Sequence, residues 1–264
     1  MTLGLRAAAL SYLTVLIVIP LFVISVQGLR GGLDLFIESI TRPAAVSAIW
    51  LSVWTAAVMA VINTIMGTLT AYALVRYRFP GRAALNAFVD LPFAIPSLVT
   101  GVMLVLLYGP QTPVGGWIED AAGVRLIFAP PGIILALLFL GYPFVIRTVQ
   151  PVLEKFDRSQ QEAAFTLGAY GGTVFRRIFL PNLMPAMVTG GMLSFARALG
   201  EFGSIVIVAG NIPMRSQTAA VYIFGQVEGG NMVSASGLSL VLMAIALAAT
   251  VGVDFIYRRS KYRA

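Results

Sequence analysis

Six long stretches of this chain contain no Asp, Glu, Lys or Arg: residues 7–29, 43–75, 91–118, 126–146, 178–196 and 229–253. A helix needs about 20 apolar residues to cross the roughly 30 Å hydrocarbon core of a bilayer, so each interval is long enough to span it. Charged residues make up 11% of the chain and hydrophobic ones 58%, whereas a soluble domain carries about a quarter charged residues. An ordinary soluble globule is therefore excluded. The chain is expected to be a single all-α transmembrane domain over residues 1–264, with spans near 7–28, 47–75, 84–108, 131–150, 181–209 and 233–257. The first interval follows Arg6 but exceeds the core of a secretory signal, so it is read as a retained helix. The second and fifth spans must tilt or protrude to fit, and the fifth is expected to run through Arg197 and Glu201 to Ala209.

Orientation follows from the basic residues, which stay on the cytoplasmic side of short loops. One set of alternate segments holds 13 of the 18 Lys and Arg: Arg6; Arg76, Arg78 and Arg82; Arg147, Lys155, Arg158, Arg176 and Arg177; and Arg258, Arg259, Lys261 and Arg263. The opposite set holds 4, namely Arg30, Arg42, Arg125 and Arg215, and Arg197 lies inside a span. Both termini are expected to be cytoplasmic. The net charge of +7 is then a product of topology and contact with anionic lipid, not of nucleic-acid binding.

There is no Cys and no His, which removes thiolate and imidazole chemistry and the metal sites built on them. Lys155 and Lys261 follow Glu154 and Ser260, so the chain has no phosphate-binding Gly-Lys-Ser/Thr loop. No catalytic residue, metal site or cofactor is expected in the chain itself. A self-sufficient secondary transporter would favour internal repeats and coupling carboxylates in several spans, and Glu201 is the one clear acid inside a span. An intramembrane enzyme would lack a paired acid and base.

The cytoplasmic segment 151–180 is far longer than the 2–8 residues that usually join bundle helices. Asp157 reads as a helix cap before Arg158-Ser159-Gln160-Gln161-Glu162-Ala163-Ala164, and Gly168, Gly171 and Gly172 permit a turn into a second helix from about Thr173 up to Pro181. Glu162-Ala163-Ala164, then Gly168, then Ile178, Leu180 and Pro181 resemble, over about 20 residues, the EAA loop of the permease subunits of bacterial ABC importers. The resemblance implies a type I importer fold of six transmembrane helices with cytoplasmic coupling helices that fit a cleft in a separate ATPase. Glu162 would contact that ATPase, Gly168 would allow the turn, and Ile178, Leu180 and Pro181 would anchor the return to the bundle.

Prolines at positions 92, 96, 143 and 151 mark irregular helices, either as structural adjustments or as features of a pathway. A short amphipathic helix is expected in the external loop around Trp117 to Ala122. Arg197 and Glu201 stand four residues apart, either as a structural ion pair or with Arg197 lending positive potential to an anion pathway. Ser97, Thr100 and Ser194 are further candidates for such a pathway, although hydroxyls in membrane helices more often satisfy backbone groups.

Ala196-Arg197-Ala198-Leu199-Gly200-Glu201-Phe202-Gly203-Ser204, Asp90-Leu91-Pro92-Phe93-Ala94-Ile95-Pro96-Ser97, the run from Tyr142 to Leu153, and Gly210-Asn211-Ile212-Pro213 are similar to the sulfate and molybdate branch of these permeases. Together they look like the T-type subunits of sulfate/thiosulfate importers. That resemblance implies a bacterial inner-membrane location and a homologous second permease. It also implies two ATPase copies that bind ATP and Mg, and an external binding protein that delivers the oxyanion. Molybdate or tungstate stays open as the substrate, because the molybdate permeases share the segment around Arg197.

Overall fold

The computed structural model describes the backbone of residues 2–261 and the side chains of residues 4–252 apart from Arg158. Of the cations used above for orientation, Arg158, Arg258, Arg259, Lys261 and Arg263 lie outside the described side chains. The described residues form helices, turns and coil, with no strand among them.

The first span is built from α1 (Thr2–Leu13), a π-helical turn (Thr14–Val18) and α2 (Ile19–Leu29). Its hydroxyls find acceptors without water: Ser11 donates to the Ala7 carbonyl at 2.7 Å and Thr14 to that of Leu10 at 2.8 Å. The short α3 (Gly32–Thr41) leads to α4 (Pro43–Arg76), which starts on a proline whose missing N–H costs nothing in a first turn. The buried stripe of α4 includes Ala45, Ala48, Ser52, Ala56, Met59, Asn63, Gly67, Ala71 and Leu74. That is one face at helical spacing, made mostly of small residues that let neighbouring helices approach closely.

The segment expected as the third span, near 84–108, is broken beside its second proline. In place of one helix over 84–108 there are two, α5 (Arg82–Ala94) and α6 (Ser97–Tyr108), bent by 111°. The cause is local. Pro96 offers no N–H and drives the residue before it out of the helical region, and Ile95 is accordingly extended at φ −86° and ψ 126°. Outside the bundle, α7 (Pro113–Ala122) is the short helix expected around Trp117, capped by Thr112, whose hydroxyl accepts from the Gly115 amide at 3.1 Å.

The fourth span is α8 (Pro130–Glu154), and α9 (Arg158–Thr166) carries the Glu-Ala-Ala run. Then α10 (Gly171–Val174), a π-helical turn (Phe175–Phe179) and α11 (Leu180–Leu199) form one continuous helix of 29 residues. The π turn has a reason in the sequence. A proline ring clashes with the carbonyl four residues back, and widening the turn just before Pro181, with the Leu180 amide bonding to the Phe175 carbonyl, makes room for it. The fifth span also departs from expectation, because the helix stops at Leu199 and α12 (Gly203–Ala209) restarts after three residues. Finally come α13 (Ala219–Glu228) and α14 (Met232–Lys261), the latter packed on α2 through Gly28.

The centre of the fold is the trio α4, α8 and α11. Met59, Ile133, Leu137, Phe195 and Leu199 fill one core cluster, and Leu74, Val145, Val149, Phe179 and Leu183 fill another nearer α9. Glycines set the spacing. A Cβ at Gly67 would lie 2.9 Å from Val145 Cβ, and one at Gly141 would lie 2.8 Å from Asn63 Nδ2 and 2.9 Å from Met59 Sδ and would strike Ser194 Oγ. Gly141→Val is therefore expected to cost about 1–3 kcal/mol by overpacking. Thermal unfolding of the detergent-solubilised protein should show it, whereas Gly225→Ala, where the added carbon meets nothing, should leave the melting temperature unchanged or slightly higher.

Candidate functional site

In the loop between α8 and α11, both ends of α9 are closed by caps. Asp157 caps α9, its Oδ1 accepting from the Ser159 amide at 2.9 Å and its Oδ2 from the Ser159 hydroxyl at 2.7 Å. The side-chain and backbone bonds from Ser159 hold the Asp157 carboxyl below the usual carboxylate range. The cap is thus charged and intact at neutral pH, and is lost only when acid drives the pH down through that lowered value. At the other end of α9, Gly168 sits at φ +82°, while the Ala169 amide bonds to the Ala164 carbonyl and the Gly168 amide to that of Phe165, each at 3.0 Å. This is a Schellman closure, which needs the left-handed conformation that glycine takes without strain.

The faces this geometry presents are distinct. Glu162 and Ala163 are exposed and Ala164 is half-buried. Phe165, Leu167 and Tyr170 stand beside them with 47%, 88% and 77% of their surface exposed, so the isolated chain leaves an apolar tip uncovered. Ile178 and Leu180 are half-buried at the base of the long helix, and Pro181 lies in the first turn of α11. The seven residues of this loop are thus arranged as one outward-facing helix, one glycine turn and one foot on the long helix, where Ile178 and Leu180 are half-buried and Pro181 is exposed.

The second constellation lies at the other end of the 29-residue helix. Glu201 does not share a continuous helix with Arg197, as expected from their spacing; it stands in the break between α11 and α12. There its Oε1 accepts from the Ser204 amide at 3.0 Å and the Ser204 hydroxyl at 3.1 Å, and its Oε2 pairs with Arg197 Nη1 at 2.8 Å. Glu201 is 2% exposed and the Arg197 side chain 43%. The carboxylate therefore caps a helix inside the bundle while the guanidinium reaches its edge.

Ser194 is one turn earlier on α11, donating to the Gly141 carbonyl at 3.1 Å and to Met59 Sδ at 3.2 Å. Ser194, Arg197 and Glu201 line a single crevice too narrow to admit water. Ser97 and Thr100 do not line it. Both sit on α6, against α12: a Cβ at Gly203 would strike Ser97 Oγ, and one at Gly101 would lie 2.8 Å from the Ser204 carbonyl. Thr100 is 1% exposed and its hydroxyl has no partner.

Sequence reasoning missed a third cluster. Arg147 on α8 holds Asp90 on α5 through two parallel bonds, Nε to Oδ1 at 2.7 Å and Nη2 to Oδ2 at 2.5 Å. It also donates to Asn86 Oδ1 at 2.9 Å and Gln150 Oε1 at 2.8 Å. The signal was available: two opposite charges, each at the edge of an apolar interval, are costly unless paired.

Residues 63–263 match a family model described as the inner membrane component of binding-protein-dependent transport systems. The chain is 39% identical over 250 residues to a probable sulfate transport system permease protein of Nephroselmis olivacea, covering 95% of this chain and 88% of that one. It is 45% identical over 210 residues to the corresponding Chlorella vulgaris protein, with 78% and 77% covered. Against the sulfate transport system permease protein of Synechocystis sp. it is 37% identical over 236 residues, with 89% and 82% covered. In fold it is similar to a chain of a bacterial alginate ABC transporter, with a TM-score of 0.80 over 98% of this chain and 94% of that one at 17% identity. A chain of the MetNI methionine ABC transporter gives a TM-score of 0.61 over 81% and 94%, also at 17% identity.

Removing Arg197 leaves a buried carboxylate with its charge unopposed. Arg197→Ala is expected to lower stability by about 1–3 kcal/mol and to reduce the yield of folded protein in size-exclusion chromatography. Neutralising both partners in Arg197→Ala/Glu201→Gln should recover most of that yield, because the amide oxygen of the glutamine could still cap α12.

Proposed function

Because the chain belongs to the family of inner-membrane components of binding-protein-dependent transport systems, we propose that it is the T-type permease subunit of an ATP-driven importer that carries sulfate, and thiosulfate beside it, into the cytoplasm. The observation that carries this reading is extended identity, 39% across 95% of the chain, to a relative named for sulfate transport. The family is one of multi-pass membrane subunits that work with an ATPase and a substrate-binding protein. The chain thus supplies a pathway, and hydrolysis takes place in its partner.

The finer assembly follows the same reading. A homologous second permease completes the pathway, two copies of the ATPase bind ATP and Mg beneath the pair, and an external protein delivers the anion. The distribution of Lys and Arg supports a cytoplasmic side for both termini and the loop 151–180 at the inner membrane. Glu162 and the apolar tip around Leu167 then face the ATPase cleft. Closure of the ATPases pulls α9, and the pull enters the membrane along the helix from Gly171 to Leu199, 29 residues or about 43 Å long. The far end of that helix is where Arg197 meets Glu201. A movement of the loop therefore arrives where two short helices begin and a guanidinium is half-exposed, and passing the dianion there needs only weak, replaceable contacts.

The test is ATP hydrolysis by the complex reconstituted in lipid with its ATPase, second permease and binding protein. Sulfate-loaded binding protein should stimulate hydrolysis more than the molybdate-loaded form; the reverse order would move the chain to the molybdate and tungstate branch. Glu162→Lys and Gly168→Val should each cut stimulated transport about tenfold or more while the subunit still inserts. Normal uptake in both would overturn the assignment of the loop.

A further inference from the structure

The loop that carries α9 is joined covalently to two helices only, α8 through residues 155–157 and the long helix that begins at Gly171. A third attachment is made by a side chain. Arg76 is the last residue of α4, 85 positions from Gln161 on α9, and its Nη2 donates to Gln161 Oε1 at 3.0 Å. Its guanidinium lies 4.8 Å from the ring centre of Phe179, in the π turn at the foot of the long helix, and 5.8 Å from that of Phe156 in the α8–α9 joint.

The rings are themselves locked together. Phe156 and Phe179 stack at 4.3 Å, and Tyr72 of α4 meets the edge of Phe179 at 5.8 Å. Phe179 is 2% exposed, and Arg76 Nε is buried without a partner. A cation that served only to fix topology would extend into water or toward lipid headgroups. This one is drawn back over aromatic faces, where a desolvated guanidinium is held most strongly. Arg76 therefore touches the end of α4, the α8–α9 joint, the Glu-Ala-Ala helix itself and the foot of α11 at once.

Without it, α9 could swing about the three-residue connection to α8 and about the turn at Gly168, and a pull on Glu162 would be spent in that swing. With it, α9 is tied through Gln161 to α4, the longest helix of the bundle and the one whose small-residue face packs on α8 and α11. We propose that Arg76 is a positioning residue for energy coupling, a pin that makes α4 move with the coupling helix. The proposal rests on the reading of 151–180 as the ATPase-contacting loop.

The experiment measures sulfate imported and ATP hydrolysed together, in proteoliposomes containing the whole complex. Arg76→Ala is expected to keep the ATPase bound at the wild-type ratio and its stimulated hydrolysis within about twofold, while sulfate moved per ATP falls about tenfold. Arg76→Lys, which keeps the cation and a donor, should recover most of the ratio, and Gln161→Ala should lower it less than Arg76→Ala does. A fall in transport and hydrolysis in equal proportion would overturn the proposal, since a merely structural residue would leave the ratio unchanged.

Because this chain has no native cysteine, the purified double variant Arg76→Cys/Gln161→Cys can be bridged by a short bis-maleimide before the complex is assembled. The unbridged form should be uncoupled and the bridged form should regain sulfate per ATP. Failure to regain it in an assembled, ATP-hydrolysing complex would again overturn the pin. Glu162→Lys in the same assay separates the two readings: if it leaves ATPase docking and transport intact, the loop assignment falls, whatever the Arg76 variants do.

Discussion

In hydrocarbon a peptide group that leaves its helix has no water to bond, so every break in a membrane helix must be closed by the protein itself. This constraint explains where the chain spends its few polar residues. The fifth span stops at Leu199, and the amide that would be orphaned at the restart is met by Glu201. A carboxylate so placed would be an isolated charge, and Arg197 is four residues back to oppose it. The same logic governs the prolines. Pro181 is preceded by a widened turn that absorbs its ring, and Pro96 falls where the third span changes direction.

The breaks and the continuous helices divide the work. A long uninterrupted helix transmits displacement, because its hydrogen-bonded backbone is stiff along the axis, whereas a break lets two segments take different directions. Here the uninterrupted element runs from the turn after Gly168 to the break at Gly200, and its middle is packed so closely that glycines stand where any side chain would collide. Gly190 faces Val145 Cα at 2.9 Å from where its Cβ would be. Interiors packed to this density shift between discrete arrangements and do not deform gradually, which suits a machine that must deliver a step of motion across the membrane.

Much of this was legible in the residues. Uncharged intervals marked the long apolar helices, Asp157 marked the start of α9, and Gly168 marked its end, because each of those signals is local. Two features were not legible. Hydropathy alone joined α5 to α6 and α11 to α12, since apolar residues flank both breaks; Pro96 marked irregularity without its angle, and the Gly200-Glu201-Phe202-Gly203 run did not show that the helix stops there. Partners separated along the chain were also hidden. Asp90 and Arg147 are 57 residues apart, and Arg76 and Gln161 are 85 apart. Nothing local says which cation meets which acceptor, although the cost of an unpaired charge beside the membrane says that some acceptor must exist.

Structural partner and source of positive potential are not exclusive roles for Arg197 once its geometry is known. A guanidinium carries five donors in a fixed fork, and Glu201 takes one of them, at Nη1. The side chain is 43% exposed while its partner is 2% exposed, so the pair is asymmetric: the acid is spent on capping α12, and the cation reaches the edge of the bundle. Pairing with a buried carboxylate fixes the direction in which Arg197 points. A guanidinium held in this way, opposed on one side and half-exposed on the other, is compatible with a structural pair and with a source of positive potential alike.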